Sequence, residues 1–128
     1  MESVFDGGQL RLARLYDNYA LEDVAECVGK SRQYLHKLEI NQTVPSPELL
    51  EQLAKIVRVE AEFFSAGARG LVHDEQIHFR KLFTTRTTIK SVAIARAELF
   101  ARLVVYLETK LKQPAVQIPS SRRRSERR

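Results

Sequence analysis

Five basic or amide side chains occur within residues 30–37, and no carboxylate lies among them. They are Lys30, Arg32, Gln33, His36 and Lys37. If this segment is helical, Leu35 and Leu38 point to one side and the polar side chains point to the other. Arginine and lysine carry the donors that bind guanine edges in the DNA major groove, and glutamine those that bind adenine edges. The pattern therefore predicts a helix whose outer face contacts DNA.

A short helix and a sharp turn are predicted to position that face. Four apolar residues at helical spacing indicate a helix over residues 21–28. They are Leu21, Val24, Ala25 and Val28. Gly29 then supplies the left-handed or close-contact position that a sharp corner between two helices needs. Ser31 suits the N-cap of the second helix, because its hydroxyl can accept a backbone N–H.

Several short motifs along residues 10–64 fall in one register. They are Ala25, Gly29, Ser31-Arg32, Leu38-Glu39 and Pro45-Ser46. In this order they resemble the Cro/C1-type (XRE) helix-turn-helix family of bacterial and phage regulators. The resemblance implies an all-α fold in which residues 1–66 form a five-helix, lambda-repressor-like DNA-binding domain of a cytoplasmic protein. The alternative is an amphipathic helical bundle that has this spacing by accident.

The resemblance also implies which residues contact DNA. These are Arg32, Gln33, His36, Lys37, Ser31, Lys30, Gln42 and Thr43. Arg32 is expected to form a bidentate contact with guanine and Gln33 to bind adenine. Gln42 and Thr43 would lie in a loop that approaches phosphates, although they are equally well explained as solvated loop residues.

Two further positions bear on how the recognition helix is held. By the resemblance, Arg14 of the first helix pairs with Glu39 and fixes the angle of the recognition helix. The second helix departs from the family, which commonly has Ser or Thr followed by Gln where this chain has Ala20-Leu21. The carboxylates of Glu22 and Asp23 interact favourably with the positive end of that helix dipole, but near DNA they would repel phosphate.

The remaining elements of this domain follow from local signals. A first helix is expected over residues 8–18, with Asn18 as its left-handed cap, and Asn41 is expected to be left-handed after the recognition helix. Ser46-Pro47 indicate the start of a fourth helix. Its expected buried residues are Leu50, Leu53, Ala54 and Val57. A short fifth helix is expected to follow and to close the core with Phe64.

The net charge of +5 is divided unevenly along the chain. Residues 1–70 contain 8 Lys and Arg against 11 Asp and Glu, which gives −3. Residues 71–112 and residues 113–128 each carry +4. A slightly acidic DNA-binding domain must rely on its local basic patch, so we expect modest affinity from a monomer.

The sequence argues against several other classes of protein. The single Cys27 excludes an intramolecular disulfide and fits a reducing cytosol. There is no apolar run of about 18 residues and no signal-peptide pattern, so we expect no membrane segment. We find no nucleophile–base set, metal cluster or glycine-rich phosphate loop, and we therefore expect neither an enzyme nor a cofactor.

A hinge and linker over residues 67–87 precede a second predicted element, a long amphipathic helix over residues 88–112. Partial alternation over residues 76–82 fits a short strand or an extended linker. The apolar face of the long helix includes Phe100, Leu103, Val104, Leu107 and Leu111. Such a face either packs on the first domain or pairs with another chain, and we favour a homodimer that binds an inverted repeat in double-stranded DNA.

The second half has a resemblance of its own. The segment I-H-F-R-K-L, the alanine-rich helix and the Pro114–Pro119 stretch are similar to the connector of regulators that fuse an XRE domain to an ImmA/IrrE-type zinc metallopeptidase. The chain contains no H-E-x-x-H motif, and His36, His73 and His78 do not have the spacing of a zinc pair. Three explanations for the missing peptidase remain open: the chain is a natural short form, a truncated chain, or the DNA-binding partner of a separate peptidase.

Residues 113–128 form a basic tail that we expect to be disordered. It could bind nucleic acid nonspecifically, be a vestige of truncation, or serve solubility. For the whole chain, the leading hypothesis is a transcriptional repressor. The second is a protein-interaction module, an antitoxin or adaptor whose C-terminal helix binds a toxin or a peptidase.

Overall fold

The computed structural model describes residues 4–65 and 86–112, and all regular structure within these ranges is helical. The elements are α1 (Gly7–Tyr16), α2 (Leu21–Cys27), α3 (Arg32–Glu39), α4 (Pro47–Ile56), a 3-10 helix (Ala61–Ser65) and α5 (Thr87–Lys110). The all-α prediction is confirmed, and the long helix begins one residue earlier and ends two residues earlier than predicted. The 76–82 segment, most of the linker and the basic tail lie outside the described residues.

Side-chain caps begin three of the helices, and two of them are the predicted caps Ser31 and Ser46. The carboxylate of Asp6 accepts the N–H of Gly8, the hydroxyl of Ser31 accepts that of Tyr34, and the hydroxyl of Ser46 accepts that of Leu49. Each of these bonds satisfies a backbone donor that the first turn of a helix leaves free.

Helix α2 begins differently, because Ala20 has no side-chain acceptor. Instead, the backbone N–H of Ala20 donates to Asp23 Oδ2 at 3.0 Å. This is half of a capping box, in which the third helical residue reaches back to the cap. Asp23 therefore has a structural role at the start of α2.

Within residues 4–65 and 86–112, four left-handed residues turn the chain between helices. Gly29 has φ 64°, while Asn18 and Asn41 have φ 60° and 59°, which confirms the conformation predicted for both asparagines. Arg58 has φ 55° and was not predicted. Asn41 has a second role, because its Oδ1 accepts the N–H of Gly7 at 2.7 Å and so joins the start of α1 to the end of α3.

The core is formed by one face from each of the first four helices and by the 3-10 helix. Its fully buried large residues include Leu10, Val24, Leu35, Leu38, Leu53 and Phe64. The prediction for α4 was wrong at one position, because Leu49 is buried and Leu50 only partly. Leu49 lies four residues before Leu53 and shares its side of the helix, whereas Leu50 is rotated by about 100° from Leu49.

Helix α5 packs against α1. Val92, Ala95 and Glu98 are its buried residues. Arg102 donates to Glu98 Oε1 and to Gln9 Oε1, both at 2.9 Å, and Gln9 is fully buried. The predicted apolar face lies elsewhere on the helix, since Phe100 is two residues, or about 200°, from Glu98. That face is therefore left uncovered by the described part of the chain.

Candidate nucleic-acid interface

Helix α3 separates a buried face from an exposed basic face. Leu35 and Leu38 are at most 1% exposed and anchor the helix in the core. The polar residues on the other side are all exposed, namely Arg32, Gln33, His36 and Lys37. A short helix held by two core leucines therefore presents its donors outward without any change of conformation.

Five of the predicted DNA-contacting residues line one concavity. They are Arg32, Gln33, His36, Lys37 and Gln42. Leu21 and Ile40 line the same concavity, and Ile40 is 45% exposed. Neither apolar residue was predicted here, although Ile40 lies four residues after His36 and so shares its face of the helix. Apolar side chains at such a surface can contact the methyl group of thymine.

The other three predicted residues lie outside this concavity. Ser31 caps α3 with its hydroxyl, as described above. The Nζ of Lys30 lies 5.7 Å from the centre of the Tyr34 ring, within range of a cation–π interaction. Thr43 lines a different concavity together with Asp6 and Asn41.

Arg32 already has an anionic partner in the free protein. Its Nε lies 2.5 Å from Oε1 of Glu22 at the start of α2. Both side chains are more than half exposed, so solvent screens the pair and it adds little to stability. Glu22 therefore offsets one positive charge on this surface and holds the Arg32 guanidinium group near the start of α2.

A buried ion pair fixes α3 relative to α1. Arg14 Nε donates to Glu39 Oε1 at 2.6 Å, and Arg14 Nη2 donates to Glu39 Oε2 at 3.0 Å. Arg14 Nη1 donates to the carbonyl oxygen of Tyr19 at 2.8 Å, so all of its nitrogens are used. A bidentate pair of this kind is directional, and it therefore sets the orientation in which α3 presents its outer face.

Metal binding has no candidate site in the described ranges. No group of His, Cys, Asp or Glu within residues 4–65 and 86–112 could hold a metal ion. Cys27 is a free, exposed thiol, and His73 and His78 lie outside those ranges. Of the helices that the structure describes, none has the length and apolar character needed to cross a membrane.

Comparison with known proteins agrees with this geometry. Residues 10–64 match a family model described as helix-turn-helix, of the XRE type. The N-terminal part of the chain is therefore a helix-turn-helix domain, and the match supports a DNA-binding regulator at the level of the family. The search found no matching curated protein and no matching solved structure. The family match ends at Phe64, so it gives no support to the resemblance to ImmA/IrrE-type connectors.

Proposed function

We propose that this chain is a sequence-specific transcriptional regulator, a cytoplasmic dimeric repressor that inserts α3 into the major groove of DNA. One observation carries the proposal. A helix whose inner face is buried presents Arg32, Gln33, His36 and Lys37 around a single concavity, within the segment that matches the helix-turn-helix family. An α-helix fits the major groove, where each base pair has a distinct pattern of donors and acceptors.

Each polar side chain of α3 would make the DNA contact that its chemical groups allow. Arg32 binds the O6 and N7 atoms of a guanine, and Gln33 binds the N6 and N7 atoms of an adenine. His36 and Lys37 contact a further base or phosphate, and Gln42 reaches the backbone from the following loop. Lys30, Ser31 and Thr43 flank this surface and would contact phosphates at its edge.

The dimer would form through α5. Five of its exposed apolar side chains recur at spacings of three and four residues, which places these five along one stripe. They are Phe100, Leu103, Val104, Leu107 and Leu111, between 36% and 67% exposed. Burying this stripe against a second copy removes it from water and brings two copies of α3 to one inverted repeat.

The variant Arg32→Ala tests base recognition. We expect it to weaken binding to the preferred duplex by about 1–3 kcal/mol and to relax the preference at one base pair. Lys55→Ala removes the same charge from an exposed position on α4 and is the matched control. Equal losses in the two variants, with an unchanged sequence preference, would remove Arg32 from the recognition surface.

The double variant Leu103→Asp, Leu107→Asp tests the dimer. We expect sedimentation to show a monomer whose helix-turn-helix domain remains folded, because these side chains make no core contacts. Val105→Asp with Thr109→Asp places two charges on another side of the same helix and should leave the dimer intact. A wild-type chain that sediments as a monomer would contradict the dimer outright.

A second function is favoured by one feature, the uncovered stripe of α5. In that case the chain is an interaction module, an antitoxin or adaptor that binds a toxin or an ImmA/IrrE-type peptidase, and DNA contact is secondary. The two functions differ in what they require of α3. If the chain is an interaction module, Arg32→Ala leaves partner binding unchanged. If it is a repressor, Arg32→Ala weakens DNA binding and relaxes the sequence preference at one base pair.

A further inference from the structure

A second surface beside α3 is formed jointly by α1 and α5. One concavity has Arg11, Arg32, His36 and Thr88 in its lining. A groove between α1 and α5 has Arg11, Lys90 and Ser91 in its lining. Because Arg11 borders both, the surface is continuous from the recognition helix to the first turns of α5.

The charges on this surface do not cancel. The concavity beside α3 contains two carboxylates, and each is ion-paired with an arginine, Glu22 with Arg32 and Glu39 with Arg14. The groove between α1 and α5 has no carboxylate in its lining. Within the described residues, neither Arg11 nor Lys90 forms an ion pair. Both side chains are exposed, so two positive charges remain available to an anion.

We propose that Arg11 and Lys90 bind the phosphate backbone of the same DNA duplex whose bases α3 contacts, beside the half-site. This inference rests on the proposed DNA-binding function and, through Lys90, adds a contact that the helix-turn-helix segment alone does not contain. Residues 1–70 carry a net charge of −3. A cation supplied by α5 therefore compensates for an acidic recognition domain, and it makes α5 part of the DNA-binding surface.

The test uses the full-length chain and measures the salt dependence of binding. The probe is a fluorescently labelled duplex of random sequence, about 40 base pairs long, titrated between about 50 and 200 mM salt. Each phosphate contact adds about 0.9 to the magnitude of the slope of log K against log salt, so Arg11→Gln with Lys90→Gln should lower it by about 1.8. Each single variant should lower it by about half as much.

Two controls separate this contact from a general loss of charge or fold. Lys55→Gln with Lys112→Gln removes the same charge from exposed positions that line neither groove, and it should leave the slope nearly unchanged. Arg11→Lys with Lys90→Arg keeps both charges and should retain the wild-type slope. Circular dichroism checks that each variant keeps its helical content.

Three outcomes decide the inference. A slope that falls in the Arg11 and Lys90 variants but not in the Lys55 and Lys112 variant supports it. A wild-type chain that binds with a steep slope, together with equal slopes in all variants, overturns the inference and leaves the proposed function standing. A wild-type chain that binds no duplex at all overturns both.

Discussion

Gly7, the first residue of α1, allows this helix to approach the end of α3 closely. A Cβ atom added there would lie 1.8 Å from the carbonyl oxygen of Leu38 and 2.8 Å from the backbone of Glu39. Backbone atoms cannot rotate away as a side chain can, so α1 would have to move by about 1.5 Å to restore a normal contact. That movement would also disturb the bond from the Gly7 N–H to Asn41.

The size of the effect follows from three terms. Overpacking of this kind costs about 1–3 kcal/mol, and loss of the Asn41 bond costs about 1 kcal/mol. Alanine recovers up to about 1 kcal/mol through its higher helix propensity. With the full recovery by alanine, we therefore expect Gly7→Ala to lower the free energy of unfolding by about 1–3 kcal/mol. The middle of that range lowers the melting temperature by roughly 10 °C.

Gly8→Ala is the matched control, since it makes the same change one residue later in the same helix. Its nearest neighbour would be the side chain of Asp6 at 3.1 Å, which can adjust. We expect this variant to stay within about 1 kcal/mol of the wild type. Urea unfolding monitored by circular dichroism measures both. A Gly7→Ala variant as stable as Gly8→Ala would refute the close packing of α1 on α3.

Two further predictions concern stability. Arg14→Met should destabilise the fold by about 3–5 kcal/mol because it leaves the Glu39 carboxylate buried and unpaired. In a urea titration, the double variant Arg14→Met with Glu39→Met should recover part of that loss. A double variant no more stable than Arg14→Met alone would argue against the pair. Ala20→Ser should stabilise α2 by about 0.5–1 kcal/mol by supplying the missing cap hydroxyl. Leu21→Ser, one residue later, should not stabilise it. A melting temperature unchanged in Ala20→Ser would show that the contact from Asp23 is already sufficient to cap this helix.

The sequence predicted those features that depend on local chemistry. Helix starts at Ser31 and Ser46 and the left-handed turns at Gly29, Asn18 and Asn41 each follow from a residue's own side chain or backbone freedom. The buried and exposed faces of α3 follow from helical spacing alone. The Arg14–Glu39 pair required the family resemblance, because the two residues are far apart in the chain and nothing local relates them.

What the sequence did not predict depends on contacts between distant elements. The close approach at Gly7 and the pairing of Glu22 with Arg32 each join residues from different helices. Glu98 and Arg102 have the spacing of an ordinary exposed pair on one helix, yet Glu98 is buried and Arg102 bonds to Gln9 of α1. This polar contact holds α5 against the domain together with the buried Val92 and Ala95, and hydrophobic periodicity gives no signal for the polar part.

The central claim is that α3 recognises a particular DNA sequence, and selection of bound sequences from random duplex DNA at near-physiological salt tests it most directly. We expect enrichment of an inverted repeat whose two half-sites are separated by a fixed spacing, and a relaxed preference at one base pair of each half-site with Arg32→Ala. Absence of any enriched sequence, with only weak and salt-sensitive binding, would contradict sequence-specific recognition and leave the apolar stripe of α5 as the functional surface.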